Sequence, residues 1–581
     1  MSATKPNVLL LSIDALRADR MSVYGYRRPT TPNLERMAES AIVCENALTL
    51  GPFTQIACIQ LFTSSRPLSY GGYDNGAFGR PDTIFKRFND NGYRTWGMST
   101  VHWVSPYYGY TDGLDQHVAV FHLNTLIGMA VGNMRDTLSL YHSGVIAEDE
   151  MLNKVVPNID RLFDNLMQYS DYLRPAVPRY KIDFPGTKIS TDDYDMDKVQ
   201  AAVIKHRREF ERGHLNYIHR HLDHLPESHE WIAHDLRYCR TPSKLIREAA
   251  FRVSNALLKR IDPLAANRRA NKVRLSVDAH TVADAVCTQL RKHDGEAPFF
   301  IWAHIKDTHR PYVSGPGLKW FEHTPRYLKA LGYPDDIDPT LSFRTSHAKT
   351  DEVRDKLSAL YDAAVLSTDE AVGKILATLS DLGLDDNTMV AFVGDHGEEI
   401  GDHGDYGHIC MEYEHNARVP MIFRPPGAGS ATRIESLVSS LDLAPTMAAL
   451  CGVPAHPDWQ GADVLSSSVA ERQHIVLETF CRGNCEFEHR PLYMGVRTDT
   501  HKYLWRESRD PFHPHVSPDR QLFDLRSDPL EQNDIYRSDD PLVSNFNDLI
   551  TQRLSEIPEI NPSRWPGRLN EKVAPSMSLT P

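Results

Sequence analysis

Short, continuous apolar runs recur along the chain, and stretches with helical periodicity separate them. The first run, Asn7–Ile13, ends at the polar residue Asp14. Runs of this length without polar alternation are typical of strands that are buried on both faces, as in a parallel sheet covered by helices. Similar runs follow at residues 298–304, 388–394 and 419–424. Strands that alternate with helices predict an α/β sandwich.

Helical periodicity is clearest between the second and the third of these runs. Leu357, Leu360 and Ala364 are spaced three and four residues apart, which predicts a helix over 353–382. A shorter helix is predicted after Thr31, because a threonine followed by a proline is a typical helix start.

Two other segments differ in character from the apolar runs. Residues 125–290 hold many Arg, His, Asp and Tyr residues and few strand-like runs, which predicts a mostly helical insertion. Its clustered histidines do not share one helix face, which favours a solvated polar helix over a metal site; they are His214, His219, His221 and His224.

Short strands and turns at 493–505 and 521–529 predict a small antiparallel subdomain. The predicted units are a main α/β domain (1–124 and 291–450), the insertion (125–290), a C-terminal α+β subdomain (451–570) and a loose tail (571–581).

Composition and charge exclude several classes of protein. The chain has 581 residues, of which 41% are hydrophobic and 24% charged, and its net charge of −13 argues against nucleic acid as a partner. No apolar run approaches the roughly 20 residues that a membrane span needs, and no secretory leader is recognisable, so we expect a cytoplasmic protein. The eight cysteines predict no disulfide framework, and the isolated pair Cys481 and Cys485 is a weak metal or redox signal.

Acidic residues follow two of the predicted buried strands. Asp14 follows the first run, and Asp395 and His396 follow the run 388–394. Ligand chemistry in open α/β sheets gathers at the carboxyl ends of strands, and carboxylates with a histidine suit a divalent cation. Asp14 alone would equally suit a helix N-cap. The glycines on either side of Asp395 and His396 permit close approach to an ion and favour a metal site.

Basic side chains are concentrated around the end of another predicted strand. His304 ends the run 298–304, and Lys306 and His309 follow it. His408 lies in a loop that is rich in glycine, histidine and aspartate. A single histidine would be unremarkable, but several cationic groups together suggest a pocket for an oxyanion.

Thr54 is the candidate nucleophile. It follows a Gly-Pro turn and precedes an apolar, helix-like run, so we expect it at a helix N-terminus, where backbone N–H groups and the helix dipole favour an anion. An ordinary N-cap is the alternative role for a threonine at this point. A nearby metal can lower the pKa of a hydroxyl and make it nucleophilic. Cys58 is interpreted as a small packed hydrophobe rather than a reactive thiol.

Taken together, these segments resemble the sulfatase family of the alkaline phosphatase superfamily. The resemblance covers roughly residues 7–120 and 295–535 in the family's order. It is carried by Ser12–Tyr26, Thr30–Asn33, Gly51–Thr54, Tyr361–Asp362 with Asp369, Gly394–Glu398, Gly407–His408, Tyr413–Glu414 and Arg418–Pro420. It implies an alkaline-phosphatase-like sandwich with a mixed, mostly parallel central sheet flanked by helices.

The resemblance also implies a cofactor and its ligands. Asp14, Asp395 and His396 match the positions that bind one divalent metal in the family, and Thr54 matches the nucleophile that faces this metal. Calcium is the ion that the resemblance favours, with zinc, manganese and magnesium as alternatives.

Roles for the basic residues follow in the same way. His309 is similar to the family's histidine for the substrate oxyanion, and His408 lies near the place of a lysine that protonates or steadies the ester group. His102 resembles another site histidine, although the local spacing differs by a residue. With His304 and Lys306, it is an expected substrate-binding residue.

The chain departs from the family pattern at two places. Where the family has Asp-Asp at the start, this chain has Asp14 and Ala15, so one metal ligand is missing. The family's Cys-x-Pro-Ser-Arg motif, whose Cys is oxidised to formylglycine, is replaced by Thr54–Cys58. Threonine cannot become formylglycine, and the arginine that steadies the modified residue is missing. The resemblance therefore excludes a formylglycine mechanism, and related members with threonine nucleophiles are phosphoryl-transfer enzymes.

Three functions stay open at this point. The leading hypothesis is a metal-dependent hydrolase of small-molecule or glycan sulfate or phosphate esters, with Thr54 as nucleophile. The first alternative is a phosphodiesterase or other phosphoryl-transfer enzyme of the same superfamily. The second is a non-catalytic member that binds an anionic glycan or phosphate, which the missing aspartate and arginine motivate.

Overall fold

The computed structural model describes most of the chain. The described residues are 5–119, 123–183, 194–222, 231–239, 242–261, 277–316, 320–344, 350–404, 406–408, 412–427, 429–480, 487–488, 491–507 and 520–566. His224, the pair Cys481 and Cys485, and the predicted tail 571–581 lie outside them.

A large mixed sheet forms the centre of the fold. The strands, in chain order, are β1 (Asn7–Ile13), β2 (Ile42–Leu48), β3 (Arg94–Ser99), β4 (Gln116–Ala119), β5 (Phe299–Ile305), β6 (Thr388–Gly394), β7 (Glu399–Ile400), β8 (Tyr406–Gly407), β9 (Met421–Arg424), β10 (Thr432–Ser439), β11 (His474–Thr479), β12 (Tyr493–Thr498), β13 (His501–Arg506) and β14 (Gln521–Asp524). The central sheet has eight strands in the order β10-β2-β9-β6-β1-β5-β3-β4. β9 is antiparallel to β2 and β6, and the other neighbouring pairs are parallel. The predicted mixed, mostly parallel sheet is therefore confirmed.

The first strand lies in the middle of this sheet and sets the register of its neighbours. All seven residues of β1 are buried, as its unbroken apolar run predicts. Ile13 is paired with Ile305 on β5 and with Gly394 on β6. The carboxyl ends of these three strands therefore meet at one edge of the sheet, which is where open α/β sheets bind ligands.

Helices cover the sheet on the outside. In chain order they are Pro32–Ala38, Thr54–Thr63, Ile84–Asn89, Leu123–His142, Glu148–Asp183, Met196–Arg212, His214–His221, Ile232–Tyr238, Pro242–Ile261, Ala279–Arg291, Trp320–Ala330, Leu341–Arg344, Asp351–Asp381, Glu414–Ala417, Leu443–Leu450, Ser467–Ala470 and Pro541–Ser555. The helix predicted over 353–382 is confirmed as Asp351–Asp381, and its periodic residues Leu357, Leu360 and Ala364 are buried. No helix in the described ranges is both long and apolar enough to cross a lipid bilayer.

The segment predicted as a helical insertion is indeed helical where it is described. The helices between Leu123 and Tyr238 pack mainly against one another, and Glu148–Asp183 also contacts the 3₁₀ turn Pro106–Tyr108 of the main domain. The last helix, Ala279–Arg291, packs instead against the main-domain helix Asp351–Asp381 and β5. The histidines there have local partners: His221 lies 3.4 Å from a Glu209 oxygen, and the ring of His214 stacks on Phe210 at 4.4 Å. The exact domain boundaries stay predictions.

A second, smaller sheet follows the main domain. It is antiparallel, with four strands in the order β11-β12-β13-β14, as the strand pattern near 493–505 predicts. Glu478 on β11 is fully buried and accepts hydrogen bonds from Arg66 Nε (3.1 Å), Arg553 Nε (2.6 Å) and the backbone N–H of Leu68 (3.0 Å). This ion-pair network joins the C-terminal segment to the first part of the chain.

Glu478→Gln should destabilise the protein by about 3 kcal/mol, because it leaves the largely buried Arg66 without its carboxylate partner and Arg553 with only the more exposed Glu556. Burial opposes ionisation of Glu478, but Arg553 and Arg66 outweigh it and lower its pKa from 4.5 to about 2. A lowered folded-state pKa means that this stabilisation is present above pH 4.5 and is lost as the pH falls toward 2. Denaturant unfolding at pH 7 and pH 3 measures both effects.

Arg94→Ala is the matched control, since Arg94 pairs with Asp294 at the surface and its side chain is 54% exposed. It should change the free energy of unfolding by less than about 1 kcal/mol. A Glu478→Gln effect no larger than that of Arg94→Ala would contradict the importance of the buried network.

Candidate active site

Three strand ends bring the predicted acidic residues together. The backbone N–H of Asp14 donates to the carbonyl oxygen of Ile305 (2.8 Å), and that of Asp395 donates to the carbonyl oxygen of Ile13 (3.0 Å). These bonds continue the parallel ladders of β1 with β5 and with β6 by one residue beyond each strand. Asp14 and Asp395 are therefore neighbours, although 380 residues separate them in the chain.

Both carboxylates are fully buried, and each has one oxygen that is held and one that is not. Asp395 Oδ1 accepts hydrogen bonds from the backbone N–H groups of Ala15 (3.0 Å) and His396 (2.7 Å). Ala15 has φ +58°, an uncommon conformation outside glycine. Among the described residues, Asp14 Oδ2 and Asp395 Oδ2 have no hydrogen-bond partner.

His396 supplies the third ligand atom. Its Nδ1 lies 2.8 Å from the carbonyl oxygen of Gly397 and donates to it, so the neutral ring presents a lone pair on Nε2. Nε2 lies 3.5 Å from Asp14 Oδ1 and 3.6 Å from Asp395 Oδ2. Burial and the neighbouring His408 lower the pKa of His396 to about 4, which keeps the ring neutral.

This donor set fits a divalent cation. One ligand atom from each of Asp14, Asp395 and His396 lies within 4.8 Å of the others, and all three side chains are buried. Burial raises the pKa of both aspartates to about 7, and for Asp14 the charge of Asp395 adds to this effect. Two facing carboxylates that resist ionisation in the absence of a cation are typical of a site that a cation completes.

The hydroxyl of Thr54 faces the same three residues. Thr54 begins the helix Thr54–Thr63, as predicted, and its Oγ1 lies 3.1 Å from His396 Nε2 and 3.4 Å from Asp14 Oδ1. The alternative role as N-cap is excluded, because Phe53 is the N-cap residue. Cys58 is a buried residue of the same helix, and burial raises the pKa of its thiol. Both observations agree with the interpretation of Cys58 as a packed side chain rather than a reactive thiol.

A second layer of histidines lies over this group. The ring of His408 is 4.3 Å from that of His396 and 4.8 Å from that of His309. Glu398 orients this layer: its Oε1 lies 3.2 Å from His408 Nδ1, and its Oε2 accepts the backbone N–H of Arg310 at 3.2 Å. Burial raises the pKa of Glu398 to about 7 and lowers the pKa of His309 well below its usual value.

His304 presents a buried N–H group. The indole of Trp302 donates to Ser12 Oγ (2.9 Å), and this oxygen lies 2.8 Å from His304 Nδ1. His304 Nε2 has no hydrogen-bond partner among the described residues, and it carries the ring hydrogen in the tautomer whose Nδ1 accepts from the Ser12 hydroxyl. Burial and the charges of His396 and Lys306 lower the pKa of His304 to about 3.

Lys306 and His102 lie at the edge of the same region. The ammonium of Lys306 acts on several of these groups: it lowers the pKa of His309 and counters the rise in the pKa of Asp14. Burial, with a smaller contribution from Lys306, lowers the pKa of His102 to about 3. The nine residues proposed from the sequence therefore lie in one region, while their individual roles stay predictions.

Three further residues complete the site. Glu398 belongs to the motif Gly394–Glu398, in which the sequence assigned it no separate role, and its position after a buried strand is the signal that marks it. Phe53 and Trp103 form an aromatic wall, with ring centroids 5.6 Å apart, and Phe53 also lies 5.8 Å from the ring of His408. The sequence carries no local signal for these two residues, because a single aromatic residue is usually a core residue.

Comparison with protein families agrees with this geometry. The family model described as Sulfatase matches residues 6–170 and 248–453, which is more than half of the chain. The chain belongs to the sulfatase family. A second model, described as N-sulphoglucosamine sulphohydrolase, C-terminal, matches residues 401–559, which include all four strands of the smaller sheet.

Curated relatives are consistent with a sulfatase-like hydrolase. The chain is 22% identical to an arylsulfatase of Clostridium perfringens (strain 13 / Type A) over 561 residues, which cover 92% of this chain and 91% of that protein. It is 29% identical to arylsulfatase K of Bos taurus over 301 residues. The match covers 46% of this chain and about half (53%) of the length of arylsulfatase K.

Solved structures with the same fold align with almost the whole length of this chain. One is a protein in complex with its substrate D-glucosamine-2-N,6-O-disulfate (TM-score 0.55, 16% identity, 96% of this chain and 99% of that chain). Another is a phosphonate monoester hydrolase of Agrobacterium radiobacter (TM-score 0.53, 15% identity, 95% of each chain). At these identities the likeness establishes the fold.

Stability without a divalent cation should fall as the pH rises from about 4 to about 7. The aspartates Asp14 and Asp395 have folded-state pKa values raised from 3.8 to about 7, so in this window the cation-free folded protein holds protons that the unfolded chain has released. A cation binds the ionised carboxylates, so its stabilising effect should grow over the same window. Thermal unfolding of chelator-treated protein at pH 5 and pH 8, with and without added Ca²⁺, measures this effect.

Asp395→Asn removes one of the two carboxyl groups with a raised pKa. It should therefore weaken the pH dependence of the stability of the cation-free protein. An increase in Tm on adding the cation that is equal at pH 5 and pH 8 would argue against a cation held by these carboxylates.

Proposed function

We propose that this protein is a metal-dependent hydrolase of small-molecule or glycan sulfate esters, with Thr54 as the nucleophile. The observation that supports this proposal is the position of Thr54 Oγ1, 3.1 Å from His396 Nε2 and 3.4 Å from Asp14 Oδ1. A hydroxyl in this position touches the donor set that fits a divalent cation. Calcium is the ion that the sequence resemblance implies.

Asp14, Asp395 and His396 would hold the cation, with Thr54 beside it. When bound, a divalent cation supplies Lewis-acid polarisation and lowers the pKa of a neighbouring hydroxyl. The chain's own residues orient the ester: the Nε2–H of His304, the ammonium of Lys306 and the imidazole of His309 are positioned to attract the oxygens of a sulfate group. Phe53 and Trp103 offer an apolar wall for the organic part of the substrate.

The proposed reaction proceeds in two displacements. The Thr54 hydroxyl gives its proton to solvent water, Oγ1 forms a bond to sulfur, and the bond between sulfur and the ester oxygen breaks. His408, held by Glu398, gives its proton to the departing oxygen. Water then attacks the sulfur of the threonine sulfate, which releases sulfate and restores the Thr54 hydroxyl.

Thr54→Ala should lower kcat for a sulfate monoester by at least about 10²–10³, because the loss of even one positioned oxyanion donor has this effect and here the attacking atom is lost. Thr54→Ser retains a hydroxyl and should keep most of the activity. Thr63→Val is the matched control, since Thr63 lies at the other end of the same helix and its hydroxyl only contacts Ile59 and Ser65. Turnover that survives in purified Thr54→Ala protein would rule out this mechanism.

His408→Gln should affect poor leaving groups more than good ones, because proton donation matters most when the departing oxygen is basic. We expect a loss of about 10² or more for an alkyl or sugar sulfate and less than about 10-fold for 4-nitrophenyl sulfate. Measuring kcat/KM for both substrates with the wild type and the variant checks this. Equal losses for the two substrates would indicate that His408 positions the ester rather than protonates it.

Phosphate esters are the second candidate substrates. Threonine at position 54 cannot form formylglycine, so its hydroxyl is the available nucleophile, and a hydroxyl suits transfer of a phosphoryl group as well as a sulfuryl group. A panel of sulfate monoesters, phosphate monoesters and phosphate diesters, measured with the same Thr54 variants, discriminates between the two candidates.

A further inference from the structure

A second cluster of ligand-type side chains lies next to the candidate active site. Glu399, His403 and His415 each offer one ligand atom, and these atoms all lie within 4.8 Å of one another. Glu399 Oε2 is 2.5 Å from His415 Nε2, and His403 Nδ1 is 3.9 Å from Glu399 Oε2. None of these residues belongs to the donor set of Asp14, Asp395 and His396.

The three facing atoms are buried, and one of them lacks a hydrogen bond. The side chains of Glu399 and His415 are only 3% and 6% exposed, and that of His403 is 12% exposed. Glu399 Oε2 and His415 Nε2 contact each other, whereas His403 Nδ1 has no hydrogen-bond partner within the described part of the chain. Buried polar atoms are nearly always paired, so the unpaired lone pair of His403 beside this contact calls for a partner.

The outer atoms of the same side chains are held in place. Glu399 Oε1 accepts the backbone N–H of His403 at 2.9 Å. The Nε2–H of His403 donates to the carbonyl oxygen of Glu531 at 2.9 Å, so the neutral ring presents a lone pair on Nδ1. The ring of Tyr413 stacks on His403 with centroids 3.7 Å apart. Outer hydrogen bonds of this kind fix the tautomer and orientation of metal ligands.

The cluster and the active site are built from adjacent residues. Glu398 contacts His408, whereas the next residue, Glu399, contacts His415. A side chain at position 397 would collide with the carbonyl oxygen of His415, so the glycine there lets the two segments lie against each other. The two groups of ligands can therefore lie side by side, although they have no residue in common.

The cluster also has an open side. His415 lines a cavity of about 820 Å³, together with Ile400 and Asp402 from the strand and turn that follow Glu399. Three protein ligands leave one tetrahedral position, and the cavity provides room for a water molecule or an exogenous ligand there.

We propose that Glu399, His403 and His415 form a second metal site, which binds a divalent transition-metal ion of the zinc type. Two imidazole nitrogens and one carboxylate suit zinc and its neighbours in the first transition series, whereas calcium prefers oxygen ligands. The site differs in this way from the candidate active site, which has more carboxylate and hydroxyl oxygens. A buried ion pair between Glu399 and His415 is the competing explanation.

Zinc titration of the chelator-treated full-length protein distinguishes these explanations. We expect two equivalents of Zn²⁺ for the wild type and one for each of Glu399→Gln, His415→Gln and Asp395→Asn. Loss of a ligand should weaken zinc binding at its own site by at least about 100-fold. His456→Gln is the matched control and should keep two equivalents, because His456 belongs to neither cluster and its Nδ1 accepts the backbone N–H of Asp458.

A second readout protects the test against variants that fold poorly. Added Zn²⁺ should raise the Tm of Asp395→Asn, whose second site is intact, and should not raise it in the double variant Asp395→Asn/Glu399→Gln. The proposal is overturned if Asp395→Asn binds no zinc, or if His415→Gln binds as much zinc as the wild type. Both readouts are independent of ester hydrolysis, so failure of the proposed function would not affect them.

Discussion

The structure depends on two carboxylates that are buried face to face. Asp14 and Asp395 are brought together by the parallel register of β1 with β6, in which Ile13 is paired with Gly394. Two like charges in a fully buried position are unfavourable, and burial raises their pKa values accordingly. A cation removes this penalty, and the lone pair of His396 and the hydroxyl of Thr54 are oriented toward the same point.

The surrounding histidines contribute hydrogen bonds rather than charge. Burial lowers the pKa values of His102, His304 and His396 to between about 3 and about 4, so these rings are neutral near pH 7. In the proposed reaction the positive charge opposite the ester comes from Lys306, the cation and the protonated ring of His408. Neutral N–H donors in a buried site cost no reorganisation during the reaction, which is an advantage for stabilising an oxyanion.

The segment after β6 connects the active site with the second cluster. Glu398 faces His408, Glu399 faces His415, and the glycine between His396 and Glu398 lets this segment lie against the chain around His415. The C-terminal subdomain takes part as well, because the carbonyl oxygen of Glu531 holds His403. An ion in the second cluster would therefore stabilise the same segment that carries the active-site glutamate.

The sequence alone determined the central strands and the first donor set. The unbroken apolar run of β1, the matching run of β6 and the acidic residues that follow them are local signals, and parallel strand ends meet at one edge of a sheet. Strand β10 has no such signal, because its first half is exposed and polar. Only the tertiary structure decided that Glu399 meets His415 and that Phe53 meets Trp103. Periodicity reports the burial of one segment, whereas contacts between distant segments depend on register and packing.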